Sequence, residues 1–114
     1  MNRFDEAHRN TARALQIWQI LIGLASNRQT ITYGQLANLM GMGGAGVLAA
    51  MLDPVRLLCD ANGLPPLTIL VVNATTGLPG NGLPQAELQA ERERVFRQDW
   101  YAIYPPSEAE LAGG

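Results

Sequence analysis

The sequence predicts one mostly helical domain over residues 1–114, with a single small β element. Three observations predict it. First, 47% of the residues are hydrophobic and 16% are charged, a composition that forms a core. Second, apolar residues recur at helical spacing through most of the chain. Third, only one short stretch, Leu67 to Asn73, is continuously apolar and rich in β-branched residues.

Residues 4–25 read as one long helix, opened by Asp5 and Glu6, which suit the positive end of a helix dipole. In its second half, Ala14, Leu15, Ile17, Trp18, Ile20, Leu21, Ile22, Leu24 and Ala25 cover an arc of roughly 220°. A helix on one small core needs an apolar stripe of only about 100° or slightly more. The excess predicts a helix in the middle of the fold or one that meets a second chain. A homodimer through Ile17, Trp18, Leu21 and Leu24 is the expectation. The competing expectation is a C-terminal helix that folds back, with Phe96 and Trp100 covering the surface.

A second, short helix starts at Thr32. Thr32 with Gln35 three residues on forms a capping box, and Gly41 ends the helix. "MGGAG" is a turn. A bent or two-piece helix follows, over about 45–52 and 54–61, with Asp53-Pro54 as a cap and first helical position. Asn62-Gly63 terminates it. Leu67 to Asn73 is read as a strand, "ATTG" as a turn and "LPGNG" as a loop or frayed edge. "PQAELQAERERVFRQDW" is a helix that buries Leu88, Val95, Phe96 and Trp100. The last ten residues form a tail with one docked turn.

This order predicts a winged-helix-like three-helix core, with a long N-terminal helix and a C-terminal helix added. "TITYGQLANLMG", "AGVLAAM" and "LPPLTILVVNATTG" further resemble the DNA-binding domain of the O6-alkylguanine-DNA alkyltransferases and alkyltransferase-like proteins. The resemblance covers about residues 28–82. It implies DNA binding, with Tyr33 at the position that contacts the phosphate of a flipped nucleotide. Ala45 stands where the family carries the arginine that props open the base stack. Asn62 stands near the family's hinge asparagine, with a shorter spacing to the strand. Thr68 takes the place of the alkyl-accepting cysteine, and Ile69 and Leu70 replace the His and Arg beside it.

The chemistry follows from those replacements. Alkyl transfer needs a thiolate activated by a base. A threonine beside isoleucine supplies neither. Ala45 cannot fill the space of an extruded base. The chain is therefore expected to bind DNA without catalysis, using Tyr33 and Arg28, which precedes the capped helix. The alternative is a protein-interaction module that uses the apolar N-terminal helix.

Composition limits other classes. Eight arginines and no lysine leave a net charge of −2, so no global positive field draws in nucleic acid. Cys59 is the only cysteine and sits at a helical apolar position, which excludes an internal disulfide and a cysteine-based zinc site. His8 is the only histidine and lacks fixed partner ligands, so no metal or cofactor is expected. Arg92, Arg94 and Arg97 alternate with Glu91, Glu93 and Asp99, the pattern of a solvated helix face. No apolar run reaches membrane-spanning length. A soluble, cytoplasmic protein is expected.

Overall fold

A computed structural model describes the backbone of residues 3–41, 45–79, 85–103 and 105–111. Side chains are described for residues 12–41, 48, 50–79, 86–103, 105–107 and 109–111. Among the described residues, five helices and a two-stranded sheet occur in the order α1 (Arg3–Ser26), β1 (Ile31–Thr32), α2 (Tyr33–Met40), α3 (Ala45–Ala61), β2 (Val71–Val72), α4 (Gln85–Arg97) and α5 (Glu108–Leu111). Single 3-10 turns at Leu67–Leu70 and Trp100–Ala102 flank β2 and follow α4. The radius of gyration is 13.8 Å, close to the ~13 Å of a compact chain of this length.

Helix α1 is the central post. Ala14, Ile17, Trp18, Leu21 and Ala25 are buried along it. Helices α3, α4 and α5 and both 3-10 turns lean on it from different sides. The broad apolar arc is thus covered within one chain. The indole of Trp100 meets that of Trp18 edge to face, with centroids 5.6 Å apart. Trp100 also donates its Nε1–H to the Val95 carbonyl at 2.8 Å, so its one polar group is satisfied inside the core. This corrects the expected dimer surface. Ile17, Trp18 and Leu21 are interior residues and Leu24 is half-buried, because α3, α5 and the segment around Trp100 pack over α1.

Helix α2 begins as its sequence predicts. Gln35 N–H donates to Thr32 Oγ1 at 3.0 Å, and Thr32 N–H donates to Gln35 Oε1 at 3.1 Å. Gly41 closes the helix with φ 68°. Residues 42–44 of the following glycine-rich turn lie outside the described residues.

Two expectations change. Helix α3 runs unbroken through Pro54, where two pieces were one expected form. The segment from Leu67 is a strand only at Val71 and Val72; Leu67–Leu70 coil into a 3-10 turn. That turn buries Leu67, Ile69 and Leu70 against α1 and α3, a burial that a flat strand at the same place would split between two faces. In addition, β2 pairs in parallel with β1, Ile31 beside Val71 and Thr32 beside Val72, a pairing between segments far apart in the chain. The expected "LPGNG" loop is only partly visible, since residues 80–84 lie outside the described set.

Candidate functional site

Helix α1 ends at a tight reversal centred on Arg28. Gln29 N–H reaches back to the Leu24 carbonyl at 2.9 Å and Arg28 N–H to the Ala25 carbonyl at 3.1 Å. That is a Schellman closure, whose pivot takes a left-handed conformation and is usually glycine. Helix α3 closes in the same way with Gly63 at φ 66°. Helix α1 instead places Arg28 there, at φ 56°, where a Cβ is disfavoured.

The Arg28 side chain leaves this pivot toward α4. Its Nη2 donates to Glu93 Oε1 at 2.8 Å and its Nη1 to Oε2 at 3.0 Å, a two-pronged pair. The guanidinium carbon also lies 5.5 Å from the centre of the Phe96 ring. Arg97 Nε donates to the same Glu93 Oε1 at 2.9 Å. Glu93 hydrogen-bonded first to Arg28 and then to Arg97 is held well below the usual carboxylate range, at about 2. The Arg28 guanidinium is pushed up, chiefly by its hydrogen bonds to Glu93. The cluster remains on the surface, with Arg28 55% and Glu93 39% exposed at the side chain.

The other expected site residues fall elsewhere. Tyr33 is the first residue of α2, half-buried and packed against the core. Asn62 sits at the end of α3 and gives its Nδ2–H to the Leu58 carbonyl at 2.9 Å, so it caps its own helix. Ala45 starts α3, and its side chain lies outside the described set. Ile69 and Leu70 are buried, and Thr68 is half-buried in the 3-10 turn. Cys59 is fully buried. Burial pushes its thiol up, against the opposing effect of a backbone hydrogen bond with Leu67.

The exposed charges of α2 and α3 are few. Among the described residues they are Asp53, Arg56 and Asp60, with Arg56 lying 3.6 Å from each carboxylate. A largely uncharged surface surrounds Leu39. Leu39 is 66% exposed between two open grooves of about 510 and 470 Å³. Leu24, Ile31, Gln35 and Asn38 line the first, and Gln16, Gln19 and Ile20 line the second with Arg13. Arg13 is committed to the Met40 carbonyl at 2.7 Å.

Sequence reasoning missed Glu93 as the partner of Arg28. The two are 65 residues apart, and no local spacing signals such a pair. The ion pair between Glu93 and Arg97, four apart on one helix, carries the local signal that the sequence shows. Leu39, three residues after the buried Leu36, is 66% exposed although helical spacing places the two on neighbouring positions of α2. Among the described residues, no cluster of three or more His, Cys, Asp or Glu is placed to hold a metal ion. No helix among them is long and apolar enough to cross a membrane. No protein-family model, curated protein or solved structure matches the chain.

Proposed function

We propose that the protein is a winged-helix-like module that binds DNA without alkyl transfer, a divergent relative of the alkyltransferase-like proteins. The observation that carries this reading is the unit from Thr32 to Ala61: a capped helix that ends at Gly41 and a second helix from Ala45, on one core. Tyr33 opens the first helix of that unit, where a hydroxyl can meet a phosphate. The resemblance of "TITYGQLANLMG" and "LPPLTILVVNATTG" to the family supports the same reading. The loss of the acceptor cysteine to Thr68 supports the absence of chemistry.

Charge sets the strength of the interaction. Among the described residues, few cations lie near the two helices, and each is engaged. The salt dependence should therefore be shallow, equivalent to one or two phosphate contacts at about −0.9 each. Fluorescence anisotropy with a labelled duplex at low salt tests the proposal. Saturable binding that weakens in Tyr33→Phe and Arg28→Ala, with the fold intact, is the expected result. No binding at low salt would refute it. Incubation with alkylated-guanine DNA should leave the protein mass unchanged, and a stoichiometric gain would refute the non-catalytic assignment.

A second reading rests on Leu39. An exposed leucine between two open grooves, whose one described charged lining residue, Arg13, is bound to the Met40 carbonyl, suits protein contact, with a second copy or another chain, better than a polyanion. Sedimentation equilibrium of the wild type and Leu39→Asp tests the second-copy form of it. A monomer at all concentrations removes that form.

A further inference from the structure

We infer that Glu93 is a built-in competitor for DNA phosphate, holding Arg28 in a masked state that must open for full binding. The inference rests on the DNA-binding reading. Three observations carry it. Arg28 occupies a backbone position that suits glycine, as Gly63 shows at the end of α3, so the chain keeps a disfavoured residue there for its side chain. That side chain is engaged by both oxygens of one carboxylate, at 2.8 and 3.0 Å. A phosphate presents the same paired-oxygen geometry to a guanidinium fork, so the two anions are alternatives at one site.

The mask is also weak enough to open. Both side chains are partly solvated, and exposed ion pairs are worth little net free energy. Glu93 keeps a second cation, Arg97, when Arg28 leaves, so its charge does not lose every partner. Phe96 lies under the guanidinium, its ring centre 5.5 Å from the guanidinium carbon, while Arg28 is paired with Glu93. The four residues thus form a surface switch between an internal carboxylate and an external phosphate.

The test compares Glu93→Gln with Glu91→Gln in the full chain. Both remove one negative charge from α4. Glu91 is paired with Arg94 at 2.7 Å, not with Arg28, so it controls for net charge. With a labelled duplex at low salt, Glu93→Gln should bind about two- to five-fold tighter than Glu91→Gln, the range an exposed ion pair spans. Its salt slope should steepen by about 0.9. Adding Arg28→Ala should abolish the difference. Equal affinities for the two variants, or a gain that survives Arg28→Ala, would overturn the mask while leaving DNA binding in place. If neither the wild type nor any variant binds, the DNA reading itself fails and the mask falls with it.

Discussion

Arg28 and Glu93 make the clearest statement at the scale of single residues. The ordinary value for a carboxyl such as Glu93 is 4.5, and two arginine hydrogen bonds lower it to about 2. A folded-state value below the unfolded one means that the native fold gains stability from ionisation. That gain is full above about 4.5, declines as the pH falls, and is gone below about 2. Carbon-13 NMR of the side-chain carboxyl should show a Glu93 midpoint below 4.5, with solvent screening of the exposed pair leaving it short of the full shift. Arg28→Ala should move it part of the way back, because Arg97 still donates. An ordinary midpoint in the wild type would mean that the two-pronged pair does not persist in solution. Asn73 makes a similar point for the chain reversal after β2. Its Oδ1 accepts from Thr75 N–H at 2.8 Å and Thr76 N–H at 3.2 Å, and its carbonyl accepts from Gly77 N–H at 2.8 Å. The turn is thus set by one asparagine side chain, a local mechanism that its sequence already suggests.

At the scale of elements, helix ends were more legible than strands. Thr32 and Gln35 specify the start of α2 by short-range hydrogen bonds, so two letters suffice. Ser107 and Glu110 repeat the arrangement at α5, with bonds of 3.1 Å in both directions. Gly41 and Gly63 mark two helix ends for the same local reason. Leu67–Leu70 was not legible as a 3-10 turn, because an all-apolar run has no periodicity that separates strand from turn. Its shape is decided by α1 and α3, which bury it. The parallel pairing of β1 with β2 was hidden because it joins dipeptides forty residues apart. The candidate site divides in the same way: Tyr33 and Asn62 lie where the helix boundaries place them, whereas the Arg28–Glu93 contact depends on the docking of α4. Two glycine substitutions test the local part. Gly63→Ala puts a Cβ on a left-handed residue at φ 66° and should cost about 1–2 kcal/mol. Gly34→Ala lies in α2 with nothing within 4 Å of the added Cβ, and should stabilise by about 0.4–1 kcal/mol. Urea unfolding measures both, and effects of the same sign would contradict this account of the helix ends.

For the whole molecule, the question posed by α1 is what covers so wide an apolar arc. The answer is internal cover from α3, α5 and the segment around Trp100. No second copy is needed to explain the burial of Ile17, Trp18 and Leu21. The cover depends on Trp100, which is 1% exposed, stacks edge-on against Trp18 and ties back to the Val95 carbonyl. Removing a buried tryptophan costs about 3–5 kcal/mol. Domains of this size are held by only about 5–15 kcal/mol in total. Trp100→Ala should therefore bring the fold close to its limit and free α4 from α1. Leu39 supplies the contrast. It is equally apolar in the sequence yet 66% exposed, so Leu39→Ser should change stability by no more than about 0.5 kcal/mol. Chemical denaturation of the two variants separates core from surface. A small loss for Trp100→Ala would mean that the C-terminal segment does not seal α1, and would return the arc to the protein surface as a place for a partner.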